Sequence, residues 1–204
     1  MLAELLGLLV PPRCALCAAP CGARQTLCVG CDSLLAGTLP RLGAVVGLDF
    51  VWSAAAYEGV GRDLVKALKF GARLSLAEPA AATIAARAPS ALLDGAIVPV
   101  PPVPARRRWR GFDAADAVAV ALGARAGLPV NRCLRRSEGR RQVGRVRAER
   151  IADPPKVGLR GPVPERAILV DDVVTTGATL GACARVLRAA GCAHVAGITF
   201  ARTG

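Results

Sequence analysis

From about residue 39 onward the chain alternates strand-length apolar runs with alanine-rich stretches that repeat at helical spacing. Residues 50–57 read as a strand. Residues 61–70 carry Leu64, Val65 and Leu68 on one helical face, with Lys66 and Lys69 on the other. A second helix is predicted over 74–87, interrupted early by Glu78-Pro79. Residues 95–100 form a buried strand closed by the proline-rich turn 101–104. A helix over 112–126 places Val118 and Leu122 on its apolar face. Residues 167–170 make another strand, 179–190 a helix, and 194–200 the closing strand. Strands alternating with helices imply an α/β fold with a mostly parallel sheet covered on both faces. Such sheets bind ligands beyond the carboxyl ends of their strands. Asp171 and the turn at Pro101 both follow such ends, so a shared crevice is expected.

The most informative stretch is 168–180, Ile-Leu-Val-Asp-Asp-Val-Val-Thr-Thr-Gly-Ala-Thr-Leu. An apolar run leads to two carboxylates, then to a small, hydroxyl-rich turn, and then to a helix. That turn aims backbone N–H groups and threonine hydroxyls at one spot, where the helix dipole favours an anion. The adjacent carboxylates can accept hydrogen bonds from a diol. A sugar phosphate offers both groups. The alternative is a ligand-free strand, an aspartate-rich turn and a threonine cap. Asp171 and Asp172 would then bear burial and mutual repulsion with nothing to offset them.

At 204 residues, with 53% hydrophobic content, the chain suits one sizeable domain and a small appendage. No apolar run approaches the roughly 20 residues of a membrane-spanning helix. Residues 1–10 are apolar but contain Glu4, lack a basic leader, and are cut short by Pro11-Pro12. They read as a short helix packed on the body and not as a signal peptide, and a cytoplasmic location is expected. The net charge is +12, and of 27 basic residues only Lys66, Lys69 and Lys156 are lysines, leaving 24 arginines. Arg106, Arg107, Arg108 and Arg110 form one cluster. Arg132, Arg135, Arg136, Arg140, Arg141, Arg145, Arg147 and Arg150 form another, opposed only by Glu138 and Glu149. Guanidinium forks suit phosphate and diphosphate, and a basic face also attracts nucleic acid without sequence preference. An aromatic content of 3% argues against a stacking platform for single strands.

Five of the eight cysteines lie between positions 14 and 31, in the pattern Cys14-x-x-Cys17, ten residues, Cys28-x-x-Cys31. Two such pairs complete a tetrahedral structural zinc site. The ten-residue gap is shorter than that of common zinc fingers but suits a small ribbon. Cys21 is a surplus thiol able to replace one of the four. Disulfides fit poorly with a chain lacking an export signal, and a redox Cys-x-x-Cys would not occur twice in so short a span. A ribbon of this size has too few apolar residues to fold without its metal. Cys133, Cys183 and Cys192 read as ordinary buried residues.

Residues 168–180 resemble the phosphoribosyl pyrophosphate (PRPP) loop of type I phosphoribosyltransferases along their whole length. Three further segments extend the likeness: Ala67-Leu68-Lys69-Phe70-Gly71; Val98-Pro99-Val100-Pro101-Pro102 followed by Arg110-Gly111-Phe112-Asp113; and Arg140-Arg141-Gln142 with Glu149-Arg150. With the cysteine ribbon in front, essentially the whole chain resembles the ComF family of competence-associated, phosphoribosyltransferase-like proteins. One departure is Asp113, which stands where the family often has Asn.

The resemblance implies a zinc ribbon with an N-terminal helix over 1–38 and a type I phosphoribosyltransferase-like domain over 39–204. Asp171 and Asp172 would hold the ribose hydroxyls. Thr175, Thr176, Gly177, Ala178 and Thr179 would wrap the 5′-phosphate, with Val173 and Val174 completing the PRPP-binding segment. Pro101, Pro102, Arg108 and Arg110 would form the pyrophosphate loop, and 137–150 a hood closing over the site. Mg²⁺ would enter with PRPP. The implied function is phosphoribose transfer to an undefined acceptor in DNA uptake. Alternatives are a non-catalytic competence protein binding a helicase and single-stranded DNA, or a PRPP-sensing regulator. Thr175 stands where 6-oxopurine enzymes carry an acid, and it cannot serve as a base near neutral pH, which weakens an oxopurine acceptor. No catalytic residue is assigned, and the lone His194 reads as structural.

Overall fold

A computed structural model describes residues 12–105, 111–136 and 155–204. Its centre is a pair of long parallel strands, one over Arg166–Val174 and the other over His194–Arg202. In chain order the strands are β1 (Arg41–Gly43), β2 (Val51–Ala56), β3 (Ala96–Pro99), β4 (Leu134–Arg136), β5 (Val157–Leu159), β6 (Arg166–Val174) and β7 (His194–Arg202). The main sheet runs β1-β2-β7-β6-β3, parallel throughout except for β1, and β4 and β5 form a separate antiparallel pair. The helices are α1 (Val29–Ala36), α2 (Gly59–Phe70), α3 (Ala77–Arg87), α4 (Ala114–Ala126) and α5 (Ala178–Ala189). The molecule is therefore α/β, with a mostly parallel sheet flanked by helices and a cysteine cluster near the N-terminus.

Alternation along β6 explains the two layers. Ile168 and Val170 enter one core with Leu64 and Leu68 of α2, Ile84 of α3, and Val118 and Leu122 of α4. Ala167 and Leu169 enter the opposite core with Leu180, Cys183 and Leu187 of α5. Each buried leucine or isoleucine contributes about 2 kcal/mol by leaving water. The three later cysteines, Cys133, Cys183 and Cys192, are buried in this second core, as expected.

Four local features depart from the sequence expectation. The predicted helix over 74–87 is a 3₁₀ turn, Leu74–Leu76, followed by α3. Pro79 falls in the first turn of α3, where its missing N–H would have had no partner in any case. Strands β1, β4 and β5 were not expected, because three residues are too few to show a period. The strand expected to close at Val170 runs on through Asp171 and Asp172 to Val174, because β7 continues beside it, with Val173 opposite Ala201 and Val174 opposite Arg202. The last strand likewise extends past Phe200 to Arg202.

The cysteine-bearing segment is not an isolated appendage in its packing. Cys14, Leu27, Cys31 and Leu35 share the first core with Trp52 and Leu68. Arg73 of the body donates to the Ala15 carbonyl, and Arg87 donates to Thr38 Oγ1 at 2.8 Å and to the Ala36 carbonyl. Among the described residues no helix is long and apolar enough to cross a membrane. The expected N-terminal helix over 1–10, Arg106, Arg107, Arg108 and Arg110, and the hood over 137–150 lie outside the described residues.

Candidate functional site

The main cleft exists because two neighbouring strands have unequal lengths. Strand β3 ends at Pro99, opposite Val170, and Val100 N–H makes a last bond to the Val170 carbonyl at 2.9 Å. Pro101 and Pro102 then carry the chain away, since neither can extend the ladder. Strand β6 goes on for four more residues. The gap is a cleft of about 280 Å³ lined by Lys69, Pro101, Pro102, Asp113, Arg136, Asp171, Asp172, Thr175 and Thr179, among others. The expected common crevice between the Pro101 turn and the acidic pair is present.

The two acids are held differently. Asp172 is only 3% exposed, and its Oδ1 meets Lys69 Nζ at 2.7 Å as an ion pair. That oxygen has no further hydrogen-bond donor among the described residues. Lys69 reaches it from the last turn of α2, where a cation also complements the helix dipole. Asp171 Oδ1 accepts the Asp172 backbone N–H at 2.8 Å. Burial raises the Asp171 carboxyl well above the ordinary carboxylate range, and the Asp172 charge pushes it further, against a smaller pull from Lys69. Asp113 completes an acidic trio on the cleft wall. It caps α4 by accepting Ala115 N–H at 3.1 Å and Asp116 N–H at 3.4 Å. Burial drives its carboxyl up to about 6, opposed by those N–H bonds and aided by Asp116 and Asp172.

Beyond β6 the chain makes the turn that leads into α5. Thr175 and Thr176 are exposed, and Gly177, at φ +77°, is the residue before the helix. Only glycine fits there: a Cβ would run into the Val45 side chain, and the positive φ disfavours other residues. Ala178 N–H approaches Thr176 Oγ1 at 3.4 Å, and Gly181 N–H bonds the Gly177 carbonyl at 2.8 Å. The remaining first-turn N–H groups of α5 have no intrahelical acceptor, so the turn is a ready anion cradle. A hollow of about 50 Å³ lies over it, walled by Asp171 and residues 173–180, and it adjoins the cleft through Asp171, Thr175 and Thr179. Val174 is nearly buried in the second core, while Val173 lines both hollows.

Two cleft residues escaped sequence reasoning. Lys69 was legible only as part of Ala-Leu-Lys-Phe-Gly, on the polar side of a helix, with nothing to connect it to a carboxylate 103 positions later. Asp113 was legible only as a substitution within Arg-Gly-Phe-Asp. His194 is exposed at the start of β7, 4.0 Å from an Asp49 oxygen and at the end of the sheet remote from the cleft.

The Sγ atoms of Cys14, Cys17, Cys28 and Cys31 all lie within 4.8 Å of one another, with Cys17 and Cys28 at 3.6 Å. Tetrahedral zinc with bonds of about 2.3 Å requires sulfurs ~3.8 Å apart, so the four thiols fit such an ion. Leu16 N–H points at Cys14 Sγ at 3.4 Å and Cys31 N–H at Cys28 Sγ at 3.5 Å. Burial pushes the Cys14 thiol up, but N–H groups at Cys17, Cys28 and Leu16 outweigh it and leave it near 6. The thiol of Cys31 is pushed strongly upward by burial and by its sulfur neighbours. A cation resolves that conflict, since only thiolates ligate metal. Cys21 lies outside the quartet and donates to the Gln25 carbonyl at 3.4 Å.

A scan against protein-family models found no match to this chain, and a search of curated proteins found none.

Proposed function

We propose that the protein binds 5-phosphoribosyl 1-pyrophosphate with Mg²⁺ in the cleft beside β6, on a type I phosphoribosyltransferase-like fold. The observation that carries this reading is the continuity of one structural run. An acidic pair on a strand that outlasts its neighbour leads directly into an N–H-rich turn at a helix start. Asp171 and Asp172 accept hydrogen bonds from the ribose hydroxyls, and the turn from Thr175 to Thr179 takes the 5′-phosphate. The Pro101–Pro102 turn flanks the diphosphate, and Arg136 on the cleft wall adds positive charge. Bound Mg²⁺ supplies the charge neutralisation that lets the diphosphate depart.

Transfer of phosphoribose to an acceptor is the reaction proposed for this cleft, with this chain supplying position and electrostatics. Membership of the ComF family, and with it a place in DNA uptake, belongs to the same proposal and rests on the order of motifs along the chain. The paired cysteines in front are read as a structural zinc ribbon. Calorimetric titration with PRPP and Mg²⁺ tests the reading. The parent protein should bind, and Asp171→Ala/Asp172→Ala should weaken affinity at least tenfold, or about 1.4 kcal/mol. Equal affinity in parent and double variant would overturn it.

A further inference from the structure

The hollow over the turn into α5 has an unusual charge for an anion site. Its wall is Asp171 together with residues 173–180, so its one charged side chain is an acid. No arginine or lysine among the described residues lines it. An anion seated on the N–H groups at the start of α5 therefore shares a space of about 50 Å³ with a carboxyl group and no cation. Like charges in a partly desolvated site repel. A charged Asp171 would oppose what the helix dipole and the N–H groups provide there.

The neighbouring acid is placed differently. Asp172 lines the larger cleft and not this hollow, and Lys69 Nζ meets its Oδ1 at 2.7 Å. Asp171 Oδ1 accepts only a backbone N–H, that of Asp172 at 2.8 Å. Opposite Asp171 on β7 stands Thr199, which is uncharged. The other titratable or charged groups around the pair are Asp113 on α4, Arg136 on β4 and Cys183 on α5. The cleft wall thus carries two cations, Lys69 and Arg136, against three acids, and a proton on one acid balances it. Burial and the Asp172 charge raise the Asp171 carboxyl, in the same direction as the geometry.

We propose that Asp171 takes part in ligand binding as a neutral carboxylic acid, offering its O–H to the anion in the hollow, and that Lys69 is a positioning residue that keeps the negative charge on Asp172. The proton comes from solvent and stays on Asp171 when the ligand binds. Asp171 Oδ1 keeps a second lone pair for a ribose hydroxyl. The identity of the ligand rests on the sugar-phosphate reading, whereas the placement of the proton does not.

Two measurements on the full chain at neutral pH test this. In carboxyl carbon NMR, assigned with Asp171→Asn and Asp172→Asn, the Asp171 signal should stand at the neutral-acid position and the Asp172 signal at the ionised one. Lys69→Met should move the Asp172 signal toward the neutral position, and Lys69→Arg should return it, which lost packing alone would not do. The second measurement is titration with sulfate, a fixed dianion, followed through the amides of residues 176–179. Asp171→Asn should bind sulfate within about threefold of the parent, whereas neutralising a charged Asp171 would tighten binding about tenfold or more. That tightening would overturn the proposal, as would an ionised Asp171 signal, an unmoved Asp172 signal in Lys69→Met, or no sulfate response at 176–179. The parent signals and the sulfate arm keep the test valid if Lys69→Met folds poorly. PRPP with Mg²⁺ is a separate arm. Its failure to bind, with the carboxyl signals and sulfate as expected, would count against the sugar-phosphate reading and leave this one standing.

Discussion

Asp113 serves two purposes with one carboxyl group. As the cap of α4 it satisfies two N–H groups, and as a wall of the cleft it is buried beside other acids. In an unfolded chain such a carboxyl titrates near ~3.9, whereas here burial lifts it to about 6. Between those values the folded protein holds a proton that the unfolded chain has released. Stability contributed by this group therefore falls as pH rises from about 4 to about 6, by ~3 kcal/mol in all. Asparagine caps a helix as well as aspartate and cannot ionise. Asp113→Asn should accordingly stabilise the protein by ~3 kcal/mol at pH 7.5, with the gain shrinking toward pH 4. Urea denaturation of parent and variant across that range checks it, and a gain independent of pH would refute the burial argument. Gly177 shows the converse case, a residue whose identity is set by backbone conformation and by Val45 pressing on it.

Helix α2 is amphipathic in the ordinary sense, with Leu64, Val65 and Leu68 buried against the sheet. Its last turn does something the pattern does not require, placing Lys69 against Asp172 at the carboxyl end of β6. The pair is mostly removed from water, with side-chain exposures of 23% and 4%. Removing one partner of such a pair leaves an uncompensated charge and costs about 3 kcal/mol. Lys69→Met should therefore destabilise the protein by that order, and adding Asp172→Asn should restore most of the loss. Chemical denaturation of the two variants decides the matter. If the double variant is no more stable than Lys69→Met alone, the helix-to-strand ion pair is not what holds Asp172.

For the whole molecule, the cysteine quartet and the sheet share one core. Cys14 and Cys31 are buried together with Leu27, Leu35, Trp52 and Leu68, and Arg73 and Arg87 stitch the two parts together. Metal loss should thus lower the stability of the entire protein. The protein should carry about one zinc per chain, and chelation should shift a single calorimetric transition downward. Cys17→Ser should lose the metal. Cys21→Ser should keep it, because Cys21 bonds Gln25 away from the four sulfurs. Full zinc content in Cys17→Ser with loss in Cys21→Ser would reverse the ligand assignment.

The alternation of apolar runs, the glycine of the turn, the paired Cys-x-x-Cys spacing and the Asp-Asp-x-x-Thr-Thr-Gly-Ala-Thr order are local, and local physics was enough to read them. Periodicity identified which faces are buried and predicted a mostly parallel sheet with a crevice at its carboxyl end, and the Cys-x-x-Cys spacing predicted the four-thiol cluster. Three-residue strands such as β1 escaped it because so short a segment has no period. The length of β6 escaped it because a strand ends where its partner stops offering backbone groups, and that partner, β7, lies elsewhere in the chain. Pairings between distant residues were equally invisible: Lys69 with Asp172, and Arg202 packed over Gly43. Sequence alone determined the longer elements, their buried faces and the four-thiol cluster. Tertiary structure alone decided which charges meet, which acid is shielded and how far each strand extends, because desolvation and Coulomb forces depend on distances in space and not along the chain.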